Sequence, residues 1–417
     1  MVSQSKKQKI LLALSGGVDS SVAALLLKKQ GYEVIGAFMK NWSDTKDPLT
    51  GRCAWRSERK MAINIAAKLD IPLITLDFEK IYKSDVINKM FEKYKKGLTP
   101  NPDIDCNQKI KFPLLLKEAK KRHIDFIATG HYARIKLNKK TKTYELLRGK
   151  DESKDQSYFL YRIKESELKH TLFPIGDYTK KRIREIAEKN NFPNHNKKGT
   201  VGICFIGKIN FKDFLRKKIN PKPGKILDPE GNIIGEHDGV FYYTIGERLG
   251  PRYGFEISRD SLTKNVENKS INLQKKGVIN FTNKSRDAKQ AQIVSASGQA
   301  GGNNSKNEKF QKWYVARKDI KKNIIIAAPK DHHLNFRQKI IIKNFYLISD
   351  KKTLFQKSET KVLSRIRHVG ELLPSKLSYE KGKWKINLRE QITGISEGQA
   401  IVLYQGEKCL GGGEISF

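Results

Sequence analysis

Acidic residues are scarce in this chain: 44 Asp and Glu stand against 82 Lys and Arg, a formal net charge of +38 over 417 residues. Cysteine is scarcer still. The four, Cys53, Cys106, Cys204 and Cys409, lie far apart with no C-x-x-C pair, which argues against both a zinc site and a secreted disulfide framework. No run approaches about 18 consecutive apolar residues, the minimum for a membrane-spanning helix. MVSQSKKQK passes straight into the apolar KILLAL, leaving no room for a signal or transit peptide. The expectation is a cytoplasmic protein with no membrane contact. What is present is enough apolar residue, 38%, to bury a substantial core, in a chain long enough for two or three domains. The positive excess attracts polyanions, nucleic acid first among them. Because lysine is spread over every region, the charge does not locate the interface.

The first half alternates strand and helix. KILLAL is a buried-strand run, SSVAALLLKKQ an apolar helix closed by Gly31, and EVIGAFM the next strand. CAWRSERKMAINIAAKLD reads as helix, PLITLDF as strand, DVINKMFEKYKKG and KIKFPLLLKEAKKR as helices, and DFIATG as strand. The order predicts an α/β domain with a doubly wound parallel sheet, whose ligands sit at the carboxyl ends of the strands. The second half changes character. GKILDPEGNIIGEHDGVFYYTIGERLG and WYVARKDIKKNIIIAAPK are short strands punctuated by Gly and Asp-Gly turns, and the chain from about 335 alternates like a small closed β-barrel. Between them, about 259–312 is polar and nearly without periodicity, and reads as a flexible loop insertion. The expected domains are 1–207, 208–332 carrying that insertion, and 333–417.

The motif that carries chemistry is ALSGGVDS, Ala13, Leu14, Ser15, Gly16, Gly17, Val18, Asp19 and Ser20, between the first strand and the first helix. It puts side-chain-free residues and free backbone N–H groups at a helix N-terminus, where an anion is favoured. It has neither the Walker lysine nor the G-x-G-x-x-G spacing. Asp19 beside phosphate would be repulsive unless a divalent cation lies between them, so magnesium pyrophosphate is the expected guest. On residues alone, Gly-Gly as a tight turn with serine caps stays open.

SGGVDSS resembles the PP-loop of the ATP pyrophosphatases, which split ATP to AMP and pyrophosphate while adenylating a substrate. MKNW, LTPNPDIDCNQKIKF, ATGHYAR, KDQSYFL, FPIGDYTK, GICFIG, GEHDG and YTIGER together resemble the tRNA-specific 2-thiouridylase family over nearly the whole chain. The resemblance implies ATP and Mg2+, a tRNA substrate bearing a wobble uridine, a persulfide-carrying donor protein, and a chain acting as a monomer. A uridine oxygen is a poor leaving group, so adenylation followed by sulfur attack is the chemistry to expect. An amidotransferase-like PP-loop enzyme, or a catalytically silent RNA-binding relative, is the alternative.

Cys106 sits in NPDIDCNQK, a Pro-flanked loop read as preceding a helix that starts near Ile110. Lys109 and Lys111 should lower its pKa while Asp103 and Asp105 oppose them. Cys204, in GICFIG, reads by periodicity as one more apolar strand residue. The resemblance instead implies that Cys106 is the nucleophile, Cys204 the persulfide-bearing cysteine, and Asp103 an acid/base residue, a carboxylate that would otherwise pass for an Asx turn. These two cysteines lie 98 positions apart, 204 − 106, and are expected to need a moving loop to meet. By resemblance, Asn101, Pro102 and Asp103 receive the flipped target base, Met39 and Gly130 contact the nucleotide, and Lys154, Asp155, Gln156, Arg367 and His368 contact tRNA. Four positions depart from the family pattern. His368 replaces Tyr, Gly199-Thr200 replaces Asp-Ser, and Glu247 replaces Gln. His131 is read as structural, as are Cys53 and Cys409.

Overall fold

The computed structural model describes residues 7–44, 53–197, 199, 204, 206, 210–250, 312–348 and 359–417. The expected insertion at 259–312 lies outside the described residues, apart from Lys312 at its end. No helix among them is long and apolar enough to cross a membrane.

The first half is the expected α/β layer. Strands β1 (Lys9–Ala13), β2 (Glu33–Lys40), β3 (Leu73–Asp77), β4 (Phe126–Ala128) and, after the hairpin β5 (Ala133–Asn138) and β6 (Thr143–Arg148), β7 (Thr171–Leu172) are present. Five of them form a parallel sheet in the order β3-β2-β1-β4-β7. Alternate residues of β1 and β2 feed opposite cores: Leu11, Ala37 and Met39 on one face, Ile10, Leu12 and Phe38 on the other. Such two-sided burial is why these strands read as continuous apolar runs. The strand order reverses at β1 and β4, so the crevice between their carboxyl ends is the switch point where a ligand sits in such folds. Helix α1 (Val18–Lys29) starts there, and α2 (Ala54–Lys68) lines the far-side core with Ala62, Ile65 and Ala66.

The second half is two β structures. Strands β8 (Gly224–Leu227), β9 (Ile233–His237), β10 (Arg248–Leu249), β11 (Trp313–Asp319) and β12 (Ile324–Pro329) form one sheet, ordered β10-β11-β12-β8-β9. Strands β13 (Phe336–Leu347), β14 (Glu359–Arg365), β15 (Leu373–Glu380), β16 (Lys383–Thr393), β17 (Ala400–Gln405) and β18 (Lys408–Ser416) form a barrel closed by β13–β18 pairing. The hairpin β5–β6, unread in the sequence, leaves the first domain and joins this barrel sheet through β18, Lys408 opposite Leu147.

The domains are locked by buried polar contacts as well as by one apolar cluster that runs from Leu11 to Val315 and Tyr404. Lys318 of the middle sheet donates to the carbonyls of Gly97 and Tyr243, both at 2.7 Å, while Thr99 N–H donates to Glu397 C=O of the barrel. The barrel is clasped most firmly at Asp155. That carboxylate, wholly buried, accepts from Arg365 Nη1 at 2.6 Å, from Gly149 N–H and from the Ser157 amide and hydroxyl, with Arg148 Nε 3.6 Å away. Tyr158, two residues on from Gln156, donates its hydroxyl to Ile366 and Ala400 carbonyls in the barrel. Removing one partner of a buried pair strands the other charge. Arg365→Met is therefore expected to cost about 3 kcal/mol, the low end because Arg148 remains; urea denaturation checks this, and a loss below about 1 kcal/mol would show that the clasp does not hold the barrel.

Candidate active site

The loop after β1 is shaped by hydrogen bonds around glycine. Gly16 has φ +77°, and a Cβ there would lie 2.4 Å from the Glu58 carbonyl oxygen. Asn194 Nδ2 donates to Gly16 C=O and to Ser21 Oγ, both at 3.0 Å, and Ser20 and Ser21 hydroxyls donate back to Gly17 C=O. Gly17 is the N-cap of α1 and no side chain caps it, which leaves first-turn N–H groups for an anion. Gly130 lies two residues beyond the end of β4, and its own close approach is to protein: a Cβ there would meet Ser20 N at 2.7 Å and Asp19 C at 2.9 Å. Met39 is buried in the core at the carboxyl end of β2.

Asp19 is not alone. Its Oδ1 accepts from Tyr132 hydroxyl at 2.7 Å and from Lys180 Nζ at 2.5 Å. The loop without a lysine is thus served by one from the start of the helix Lys180–Lys189, 161 positions on. The sequence signal was available in FPIGDYTK, where Thr179 caps that helix through Arg182 N–H, but neither Lys180 nor Tyr132 was singled out. No group of three or more His, Cys, Asp or Glu able to hold a metal occurs among the described residues. Asp19 supplies one carboxylate, so these residues fit a cation that arrives with phosphates rather than a resident metal.

Around the cysteines the structure corrects two expectations. Cys106 does not precede a helix. It ends the helical segment Pro102–Cys106, which continues through a π turn, Asn107–Lys111, into Phe112–Lys121. Pro102 takes the first position, where its missing N–H costs nothing, and Asn101 Oδ1 accepts from Asp103 and Ile104 N–H groups as the N-cap. With no helix terminus beside it, the buried Cys106 thiol is pushed well up by desolvation and by its hydrogen bond to Cys204. Nor is Cys204 a strand residue: it sits in a turn, partly buried against the core. Its thiol is the one held low, first by the hydrogen bond from Cys106 and then by the charge of Lys111, 3.9 Å away.

No loop movement is needed to bring the two cysteines together. Both are free thiols, close enough that each shifts the acidity of the other. Cys204 is docked through its backbone, its N–H donating to Asp103 Oδ1 at 2.8 Å and its C=O accepting from Tyr82 hydroxyl at 2.6 Å. Burial raises the Asp103 carboxyl above its ordinary value, against the pull of that N–H and of Lys111. Lys109, by contrast, turns to Asp105 and the Asp85 carbonyl. The thiols connect to the phosphate loop by a short path: Lys111 Nζ lies 3.4 Å from His131 Nε2, and the neighbouring Gly130 packs on Ser20.

The residues expected at RNA divide. Lys154 is exposed, whereas Asp155 is entirely buried in the clasp to Arg365 and cannot offer its carboxylate to RNA; it anchors the barrel instead. Gln156 Oε1 accepts from Tyr132 N–H. Arg367 is exposed and donates to Gly394 C=O at 2.7 Å. His368 stacks on Phe159, ring centroids 4.4 Å apart, and Phe159 C=O accepts from Asn107, next to Cys106. Burial holds the His368 imidazole below its ordinary pKa. Glu247 is partly buried, its carboxyl raised by desolvation and accepting from Thr244 N–H. Gly199 is exposed, and Thr200 lies outside the described residues.

The comparisons with known proteins agree with this geometry. Three family models match in succession: a tRNA methyl transferase HUP domain over 8–208, a tRNA methyl transferase PRC-barrel domain over 212–269, and an aminomethyltransferase beta-barrel domain over 337–415. A tRNA-specific 2-thiouridylase MnmA of Coxiella burnetii is 37% identical over 414 residues, 99% of each chain. The chain belongs to the MnmA family. Members from Methylobacillus flagellatus, 35% identical over 98% of this chain and 99% of the relative, and Lysinibacillus sphaericus, 36% over 98% and 94%, span it equally. Among solved structures, a 4-thiouridine synthetase–RNA complex with bound ATP overlaps half of each chain at 15% identity and a TM-score of 0.31, too low to carry an argument.

An anion seated on α1 would meet Lys180 as a nearby cation, and without Lys180 it would face the bare Asp19 charge. Lys180→Met is expected to weaken ATP binding at least about tenfold, roughly 1.4 kcal/mol, in calorimetric titration, while Lys181→Met, exposed on the same helix, leaves it unchanged. Equal affinity of Lys180→Met and the unaltered chain would remove Lys180 from the site.

Proposed function

We propose that this chain is an ATP-dependent tRNA 2-thiouridylase acting on the wobble uridine. The observation that carries the reading is the cluster in which Cys204 N–H donates to Asp103 and Lys111 lies 3.9 Å from Cys204 Sγ, with Cys106 near enough to shift the Cys204 thiol, joined to the phosphate loop through Lys111, His131 and Gly130. Paired thiols beside an adenylating loop suit sulfur transfer and have no use in an amidotransferase or a silent RNA-binding relative.

In this reading the uridine O2 attacks the α-phosphate of ATP, and pyrophosphate departs on the α1 N–H groups beside Lys180; Asp19 would hold a Mg2+ carried in on the phosphates, which would supply further positive charge. The oxygen, now an AMP ester, has become a good leaving group. The terminal sulfur of a Cys204 persulfide attacks C2, and AMP leaves with the former O2. Cys106 Sγ then attacks Cys204 Sγ, giving up its proton to the released thiouridine; the S–S bond breaks, its electron pair goes to the sulfur on C2, and a Cys106–Cys204 disulfide remains for an external thiol reductant to open. In a variant of the same step, Cys106 first displaces sulfide from the persulfide and sulfide attacks C2. Asp103, its carboxyl raised by burial, is suited to hold or pass a proton at the base. The flipped base would enter by Asn101-Pro102-Asp103, with Lys154 and Arg367 on tRNA phosphates. The three matched domains then divide the work, the first as catalyst and the two β domains as tRNA grips. A donor protein would load Cys204, and the chain would act as a monomer in the cytoplasm.

Incubation with ATP, Mg2+, a persulfide donor and unmodified tRNA, followed by nucleoside mass spectrometry, tests this reading. The unaltered chain should form 2-thiouridine, and Cys106→Ala and Cys204→Ala should each lower the yield by about 100-fold or more. Undiminished product in either variant would contradict the mechanism.

A further inference from the structure

The sulfur chemistry just described gives Lys111 no role, yet its position is unusual. It is the fifth residue after Cys106, and α-helical spacing would turn it about 140° away around the axis. The π turn Asn107–Lys111 hydrogen-bonds i to i+5 and so brings Lys111 back toward the cysteine face. Its ammonium lies 3.9 Å from Cys204 Sγ, and its charge acts on Asp103, Cys106 and Cys204 alike. Behind it stands His131, buried, with Nδ1 2.6 Å from the Thr129 hydroxyl and Nε2 3.4 Å from Lys111 Nζ. Burial and the lysine's own charge keep that imidazole neutral. With its proton on Nδ1 and donated to Thr129, Nε2 is left as an acceptor for a lysine N–H.

We propose that Lys111, positioned by neutral His131, is the cation that keeps sulfur on Cys204 anionic, as thiolate when it is loaded and as terminal persulfide sulfur when it attacks. This rests on the reading of Cys204 as the sulfur carrier. In loading, the Cys204 thiolate attacks the outer sulfur of a donor persulfide, a new S–S bond forms, and the donor thiol leaves with the electron pair of the old one. The groups facing Cys204 divide by sign. Asp103 opposes the anion, the Cys106 thiol donates to it, Tyr82 binds the backbone carbonyl, and Lys111 supplies the positive charge. Desolvation should lower the Lys111 ammonium, but the two sulfurs and Asp103 outweigh it and hold the lysine charged.

The test is the pH profile of iodoacetamide alkylation at Cys204, read by peptide mass spectrometry on the full chain without ATP or tRNA. The unaltered chain should show a midpoint below about 8.5, the value of a free cysteine. Lys111→Met should raise it by about one unit or more, and Lys111→Arg should restore most of the shift. Thiolation by Lys111→Met should fall about tenfold at pH 7 and recover toward pH 9 as the thiolate re-forms. A midpoint in the unaltered chain at or above that of free cysteine, or no shift in Lys111→Met, would overturn the proposal; the first result needs no variant to fold. Because alkylation requires no turnover, a normal Lys111 effect with no thiolation by the unaltered chain would uphold the electrostatic role and sink the sulfur-transfer reading alone.

Discussion

The hydrogen bond from Cys204 N–H to Asp103, matched by the one from Tyr82 to Cys204 C=O, is the contact on which the site depends. It fixes backbone rather than side chain, so the position of Cys204 is set without using its sulfur. The same contact spends one oxygen of Asp103 on positioning, and burial makes that carboxyl a weaker acid. The thiols then divide their properties: Cys106, enclosed in its helix, holds its proton, and Cys204, beside Lys111, gives its proton up more easily. That asymmetry suits the proposed sulfur transfer, with one sulfur to carry and one held in reserve.

A second constraint holds the β domains where they can matter. The buried Asp155–Arg365 pair ties the barrel to the segment that also carries Tyr158 and Phe159. Phe159 accepts from Asn107 beside Cys106 and stacks on His368, so the exposed Arg367 is kept near the cysteine helix. Burying an ion pair seldom adds net stability, but it makes one arrangement of the two domains cheaper than its alternatives.

Much of this was legible in the sequence, for physical reasons. Two-sided burial wrote β1 and β2 as apolar runs, and Ser-Gly-Gly-x-Asp-Ser between strand and helix marked the phosphate loop. The misreadings share a cause. Cys106 was assigned to a loop because Pro102 looked like a breaker, when proline suits the first turn of a helix; Cys204 was assigned to a strand because GICFIG is apolar, when its partners Asp103 and Tyr82 are more than a hundred positions away. Asp155, expected by resemblance at tRNA, is a buried anchor. Lys180 and Tyr132 were missed because only the fold brings them to Asp19, and Lys111, read as a neighbour of Cys106, stands 3.9 Å from Cys204 Sγ.

The central claim is that Cys106 and Cys204 rest side by side in the folded chain. Mild diamide oxidation of the native protein, followed by non-reducing peptide mapping, tests it most directly. The account predicts a Cys106–Cys204 disulfide formed ahead of any other pairing, with folding unchanged, and formed more slowly in Asp103→Asn, where a neutral amide oxygen is a weaker acceptor for Cys204 N–H. Recovery of both cysteines as separate thiols, or of bridges to Cys53 or Cys409 instead, would contradict it.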